Sequence, residues 1–119
     1  MLKISGLNQF YGESHILRDV ELEIADGSCT CLMGRNGVGK TTLLKSVMGL
    51  LRVRSGQIRF GSHELGGEPV RMHARYGVGY VPQGRDIFPQ MTVEENLRLG
   101  LPMRDDRQRE IPDLSLIHI

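Results

Sequence analysis

Between its first apolar runs and its first helical pattern, the chain reads Gly34-Arg35-Asn36-Gly37-Val38-Gly39-Lys40-Thr41-Thr42. The run from Gly34 to Thr41 matches G-x-x-x-x-G-K-[ST], the pattern of a phosphate-binding loop. Its glycines let successive backbone N–H groups turn inward, and the helix that follows adds partial positive charge at its N-terminus. The pattern therefore predicts a site for the phosphates of a nucleotide.

The end of this loop carries the chemistry. Lys40 is placed to reach the β- and γ-phosphate oxygens, and the Thr41 hydroxyl is placed to ligate a Mg²⁺ that bridges the same phosphates. Thr42 can add another phosphate contact. Such a loop alone leaves kinases, GTPases, motors and transport ATPases open, because it recognises phosphates rather than a base or a coupled task.

The flanking residues have the periodicity that such a loop requires. Residues 28–33 are mostly apolar and predict a strand buried on both faces, in which Cys29 and Cys31 are small buried hydrophobic residues. After Lys40, apolar residues recur at helical spacing until Gly49. The order of strand, loop and helix predicts an α/β fold of the P-loop NTPase class.

Further short strands are predicted on both sides of this unit. Apolar residues mark a first strand at residues 2–7, and apolar and acidic residues alternate over residues 20–24, as in a half-buried antiparallel strand. A small hairpin is predicted over residues 56–65. Another strand is predicted over residues 76–81, ended by Pro82.

The rest of the sequence predicts loops and one short helix. Residues 83–90 are predicted to be irregular, and a capping box, Thr92 with Glu95, starts a helix that ends before Pro102. The apolar face of this helix is made of Val93, Leu97 and Leu101. The charged run 104–110 is predicted to be a solvated connector or a polar helix.

Composition limits the possible partners. The 119 residues include 15 Lys and Arg against 14 Asp and Glu, a formal net charge of +1, unlike the basic surfaces of nucleic-acid-binding proteins. No run approaches the ~20 apolar residues that cross a bilayer. The four histidines and two cysteines lack zinc-like spacing and are treated as ordinary residues. We expect no nucleic-acid partner.

Three further features resemble the ATP-binding cassette (ABC) family. Tyr11-Gly12 is similar to the family's A-loop, whose aromatic ring stacks on adenine, with Phe10 as the rival for that role. Tyr80-Val81-Pro82-Gln83 is similar to the Q-loop, whose glutamine oxygen can ligate Mg²⁺ and help orient the attacking water, while the loop touches a membrane partner. Residues 88–97 resemble the entrance to the family's helical subdomain.

The resemblance implies the ATP-binding subunit of an importer. The phosphate loop and residues 81–88 look most like the ATPase subunits of urea and branched-chain amino-acid importers, and the urea version is closer because position 83 is Gln. ATP and Mg²⁺ are then the ligands, and the partners are integral-membrane permease subunits and a second ABC ATPase subunit. The implied location is peripheral, on the cytoplasmic face of the inner membrane. The implied site residues are Lys40 and Gln83 for catalysis, Thr41 and Gln83 for Mg²⁺, and Tyr11, Gly34, Arg35, Asn36, Gly37, Val38, Gly39, Lys40, Thr41 and Thr42 for ATP.

The resemblance covers residues 1–110, expected to be the N-terminal half of a nucleotide-binding domain. It comprises an antiparallel β subdomain and the start of both the parallel-sheet core and the helical subdomain. The sequence has no Leu-Ser-Gly-Gly-Gln signature peptide, no apolar strand ending in Asp-Glu and no switch histidine. Residues 111–119 depart from the family, so a truncated or misread reading frame is expected, with negligible ATP turnover. Two alternatives stay open: a soluble ABC-type ATPase without a permease, and a non-catalytic nucleotide-binding module.

Overall fold

In the computed structural model, which describes residues 1–84 and 86–100, the first two strands form an antiparallel hairpin. Strand β1 is Leu2–Tyr11 and strand β2 is Ser14–Ile24. Gly12 lies in the turn between them with φ of 58°, a backbone conformation that glycine adopts without strain. Both strands were predicted, and both extend further toward this turn than the apolar pattern indicated.

A second hairpin completes a four-stranded antiparallel sheet in the order β2-β1-β3-β4. Strand β3 is Ser55–Phe60 and strand β4 is His63–Glu64, which confirms the predicted small hairpin. The hydrophobic core gathers mainly on this sheet and includes Ile4, Leu7, Leu17, Ile58 and Leu65. Each such side chain stabilises the fold by about 1.5–3 kcal/mol through burial, so this core holds the sheet together.

Helix α1 is Lys40–Val47, directly after the glycine loop, as predicted. Its buried residues are Thr42, Leu43 and Ser46. The helix ends at Val47, and Gly49 beyond its C-cap residue Met48 has φ of 71°. The order of loop and helix predicted from the sequence is therefore confirmed.

The segment that precedes the glycine loop differs from the prediction. Residues 28–33 form no strand, and all of them are exposed. The two cysteines within it, Cys29 and Cys31, are free thiols and exposed rather than buried. A strand exists only when a neighbour supplies its hydrogen bonds, and the described residues place none of the four strands of the sheet beside this segment.

A second correction concerns the chain before Pro82. Residues 76–81 were predicted to be a strand, but residues 76 and 77 form a turn and residues 78–82 have no regular structure. They follow helix α2, Val70–Arg75, which the sequence analysis missed. Within α2, His73 is fully buried. A six-residue helix leaves too short a periodic pattern to be recognised from sequence.

The chain divides into two units, Met1–Tyr76 and Gly77–Ile119, and the second contains helix α3, Val93–Arg98. The predicted capping box is confirmed. The Thr92 N–H donates to a Glu95 carboxylate oxygen at 2.7 Å, and the Glu95 N–H donates to the Thr92 hydroxyl at 3.2 Å. The hydrogen bond from the Thr92 N–H lowers the pKa of Glu95, and the Thr92 hydroxyl lowers it to a smaller extent. The predictions for Leu101, Pro102 and residues 104–110 lie outside the described residues.

Within residues 1–84 and 86–100, none of the helices has both the length and the apolar character that a bilayer span needs.

Candidate nucleotide-binding site

The loop before α1 bends through its glycines. Gly37 and Gly39 have φ of 82° and 104°, in the left-handed region that other residues rarely adopt. Gly39 is the N-cap residue of α1. A Cβ atom on Gly39 would lie 2.8 Å from Cδ2 of Leu17, so a larger residue would require the Leu17 side chain or the helix to shift. Glycine at this position therefore lets the N-terminus of α1 sit against the sheet.

The lysine of the loop folds back across it. The Lys40 ammonium group donates to the carbonyl oxygen of Gly34 and, at 2.9 Å, to that of Arg35. These contacts hold a positive charge beside the backbone N–H groups that begin α1. Charged phosphate oxygens accept stronger hydrogen bonds than carbonyl oxygens do. The ammonium group is therefore placed to bind a phosphate at the N-terminus of the helix.

A cavity of about 290 Å³ opens at this end of α1. It lies near the lower limit of the ~300–1,000 Å³ typical of small-molecule pockets. Seven residues predicted from the sequence line it, namely Tyr11, Asn36, Gly37, Gly39, Lys40, Thr41 and Thr42. The other predicted loop residues, Gly34, Arg35 and Val38, are not in its lining. The structure thus brings the aromatic candidate and the phosphate loop, separated in sequence, to one cavity.

The two threonines of the loop differ in exposure. Thr41 is exposed, whereas Thr42 is only 5% exposed, and its carbonyl oxygen accepts a hydrogen bond from the Ser46 hydroxyl at 2.8 Å. Mg²⁺ takes few protein ligands and keeps oxygen ligands from phosphates and water. The exposed hydroxyl of Thr41, next to Lys40 in the cavity lining, fits that requirement better than the buried Thr42 does.

The structure also separates the two aromatic candidates. Tyr11 lines the cavity and is 48% exposed. The ring of Phe10 instead stacks on His15, with centroids 4.2 Å apart, and the Arg54 guanidinium carbon lies 5.1 Å from its centroid. Consecutive residues of a strand point to opposite faces of the sheet, which explains why only one of them reaches the cavity. Tyr11 is therefore the residue available to a base.

Ile16 also lines the cavity, although the sequence analysis did not select it. Strand pairing passes from Gln9–Leu17 to Phe10–His15, which leaves Ile16 as the extra residue of a β-bulge beside the strand end that carries Tyr11. No pattern in the sequence indicates this bulge, so Ile16 could not be selected from the sequence alone. Ile16 adds an aliphatic wall beside the tyrosine ring.

Gln83 belongs to the second unit, where it is exposed and lies outside helices and strands. The cavity is formed within the first unit. The predicted roles of Gln83 toward Mg²⁺ and water therefore stay predictions.

Comparison with known proteins places this site in a family context. A family model described as "ABC transporter" matches residues 17–118. A "Probable branched-chain amino acid transport ATP-binding protein LivF" of Archaeoglobus fulgidus is 43% identical over 100 residues, which are 84% of this chain and 42% of that protein. The high-affinity branched-chain amino acid transport ATP-binding protein BraG of Pseudomonas aeruginosa is 40% identical over 100 residues, 84% of this chain and 43% of that protein. Other relatives are named for the import of Fe(3+) ions and of sulfate or thiosulfate.

The fold is also that of solved ATP-binding cassettes. The crystal structure of a nucleotide-free ATP-binding cassette from an ABC transporter matches with a TM-score of 0.76 and 27% identity, over 99% of this chain and 45% of that chain. The sequence therefore spans less than half of the length of the curated relatives and of the cassette it matches.

Proposed function

The chain belongs to the ABC transporter family, and on that premise we propose that it binds ATP with Mg²⁺ through the cavity at the N-terminus of α1. One observation carries the proposal. Tyr11 and Ile16, which suit a flat apolar base, line the same cavity as Lys40 and Thr41, which suit phosphate and a hard cation. A site for phosphate alone has no use for the tyrosine.

Each part of the cavity has a proposed role. The backbone N–H groups of residues 34–39 and of the first turn of α1 surround the phosphates, and Lys40 neutralises the β- and γ-phosphates. Tyr11 stacks on adenine, while Ile16 contacts the edge of the base or the ribose. Thr41 ligates Mg²⁺, and Thr42 adds a phosphate contact through its backbone, since its side chain is buried.

For Gln83 we propose the roles toward Mg²⁺ and the attacking water that the resemblance implies. Its amide oxygen is a suitable ligand for Mg²⁺ and a suitable acceptor for the attacking water. Its exposed position leaves it accessible for both tasks. Lys40 and Gln83 are thus the proposed catalytic residues of this sequence.

For the protein as a whole, we propose the ATP-hydrolysing subunit of an importer. Support comes from relatives named for amino acid, iron and sulfate import. The proposed partners are integral-membrane permease subunits and a second ABC ATPase subunit, at the cytoplasmic face of the inner membrane. The solute is proposed to be a branched-chain amino acid or urea, supported for the former by the names of two relatives.

Residues 1–110 are proposed to be the nucleotide-binding part of this sequence and residues 111–119 a segment outside it. Phosphoryl transfer requires positioned metal, oriented water and stabilised charge on the γ-phosphoryl group. Of these requirements, the 119 residues supply the phosphate loop and Gln83. They contain neither the signature peptide nor an apolar strand that ends in Asp-Glu. Binding with negligible turnover is therefore proposed for these 119 residues.

A titration with a fluorescent ATP analogue, with and without Mg²⁺, tests the nucleotide site. We expect saturable binding that unlabelled ATP displaces and that Mg²⁺ strengthens. Absence of saturable binding would overturn the proposal. For the solute, uptake of labelled leucine, urea and sulfate is compared in source cells with and without an intact gene. Loss of sulfate uptake alone would overturn the proposed solute class.

A further inference from the structure

His73 is a buried imidazole ring between two carbonyl oxygens. Its Nδ1 atom lies 2.8 Å from the oxygen of Val47, and its Nε2 atom lies 3.2 Å from the oxygen of Glu68. Carbonyl oxygens only accept hydrogen bonds, and a neutral imidazole has a single N–H. The shorter contact is the one to which we assign that proton. His73 therefore donates from Nδ1 to Val47.

The carbonyl that accepts this bond belongs to the end of α1. Val47 is the last residue of the helix, where carbonyl oxygens lack partners within the helix. The chain leaving the helix satisfies two preceding carbonyls, because Gly49 N–H donates to Ser46 at 3.1 Å and Leu50 N–H donates to Lys45 at 2.9 Å. The carbonyl of Val47 is instead met by a side chain from α2. His73 is thus a C-terminal cap that comes from a different helix.

The ring also packs tightly against the helix end. A Cβ atom on Gly49 would lie 2.8 Å from Nε2 and 2.9 Å from Cε1 of His73, closer than side-chain atoms approach one another. Gly49 has φ of 71°, so it both ends α1 and leaves room for the ring. The position of His73 therefore constrains where the C-terminus of α1 can lie.

The opposite end of the same helix forms the nucleotide cavity. Eight residues make a helix about 12 Å long, which moves as a rigid unit. Gly39 lets its N-terminus approach Leu17, and His73 contacts the carbonyl oxygen at its C-terminus. A shift at either end changes the direction of the helix axis, and with it the N–H groups and Lys40 that face the phosphates.

We propose that His73 is a positioning residue for the phosphate site, acting through α1 without touching the nucleotide. The inference depends on the proposed function, namely that this loop binds a triphosphate. The contact that positions α1 is the hydrogen bond from Nδ1 to Val47, and not the contact between Nε2 and Glu68.

Three substitutions in the 119-residue chain test this assignment. In His73→Asn, the amide nitrogen can occupy the place of Nδ1 and still donate to Val47. In His73→Gln, the longer side chain places its amide nitrogen near Nε2, opposite Glu68. His73→Leu removes both contacts while filling the space. The control is Arg71→Leu, at an exposed position of the same helix α2.

The readout is the dissociation constant of ATP and, in parallel, that of adenosine, both measured by displacement of a fluorescent ATP analogue. We expect His73→Asn and Arg71→Leu to stay within about twofold of the parent chain. For His73→Gln and His73→Leu we expect ATP to bind about tenfold more weakly. This factor corresponds to leaving one buried carbonyl oxygen, that of Val47, without a hydrogen bond. Adenosine binding should not change, because it does not use the phosphate contacts. General destabilisation would weaken both ligands together.

The outcomes separate this inference from the proposed function. If the parent chain does not bind ATP, the proposed function fails and this inference fails with it. If the parent binds ATP and the Asn and Gln variants have equal affinities, only the role of His73 is overturned. If His73→Leu does not fold, the comparison of His73→Asn with His73→Gln still tests the role of His73. These two variants differ in whether they reach the carbonyl oxygen of Val47 or that of Glu68.

Discussion

The ammonium group of Lys40 donates to the carbonyl oxygen of Arg35, five residues earlier in the chain and 2.9 Å away. The side chain thus lies across its own loop, with its charge beside the N-terminus of α1. This arrangement places a positive charge where a phosphate would bind. A charged phosphate oxygen can replace the backbone carbonyl oxygens as the acceptor of these hydrogen bonds.

Lys40→Ala should therefore weaken binding of ATP about 10- to 100-fold, the range expected for a lost hydrogen bond to a charged group. Displacement of a fluorescent ATP analogue measures it. Lys45→Ala removes the same charge from the last turn of the same helix and serves as the matched control. Equal losses in the two variants would show that only the net charge matters.

Tyr11→Ala should reduce ATP affinity by about 1–3 kcal/mol, the loss seen when an aromatic platform under a base is removed. Phe10→Ala should have little effect on ATP, because the Phe10 ring stacks on His15 rather than lining the cavity. Inorganic triphosphate, which has no base, is the comparison ligand, and its affinity should be the same in both variants. A larger effect of Phe10→Ala on ATP would reverse the assignment of the base platform.

Gly39→Ala should destabilise the first unit, because the new Cβ meets Leu17 at 2.8 Å and Ile16 at 3.3 Å. We expect a loss of about 1–3 kcal/mol from overpacking, added to that from the positive φ. Gly37→Ala has a similarly positive φ but no atom within 4 Å of the new Cβ. It therefore measures the loss of stability that comes from the positive φ alone. Urea unfolding followed by circular dichroism measures both. Equal losses would argue against tight packing of α1 on strand β2.

The capping box of α3 should make that helix sensitive to acid. The pKa of Glu95 is lowered by Thr92, so the carboxylate contributes stability above its unfolded pKa, and this contribution is lost as the pH falls through the lowered folded pKa. We expect the Thr92 amide signal in NMR spectra to move as the pH falls through this lowered pKa. Glu95→Gln keeps an acceptor and should abolish the movement. Thr92→Ala should raise the pKa of Glu95 toward its ordinary value.

The reactivity of the two cysteines tests whether residues 28–33 are exposed. Cys29 and Cys31 are exposed, so both should react with a thiol reagent in the folded chain at rates close to those of the unfolded chain. The single variants Cys29→Ala and Cys31→Ala assign the two reactions. Protection of both thiols in the folded chain would restore the buried strand predicted from the sequence.

Features that depend on neighbouring residues were predictable from the sequence. The phosphate loop and α1 follow from a glycine spacing and the helical pattern after it, and the capping box follows from two residues three positions apart. The alternation of apolar and acidic residues over residues 20–24 likewise predicts a strand with one half-buried face. In each case the hydrogen bonds or the periodicity lie within a few residues.

Features that depend on distant partners were not. The apolar run at residues 28–33 has strand composition, yet a strand needs a neighbour to pair with, and no periodicity specifies one. The choice of Tyr11 over Phe10, and the presence of Ile16 beside it, follow from hairpin register. The role of His73 follows from the contact of α2 with the end of α1.

The sequence by itself thus determined the glycine loop and the helix that follows it, and it predicted a phosphate site there, because these features depend on residues that are close together in the chain. Only the tertiary structure decided which aromatic ring meets that loop and what holds the far end of α1. Those contacts join residues that are far apart in the chain, and only folding brings their side chains to one place.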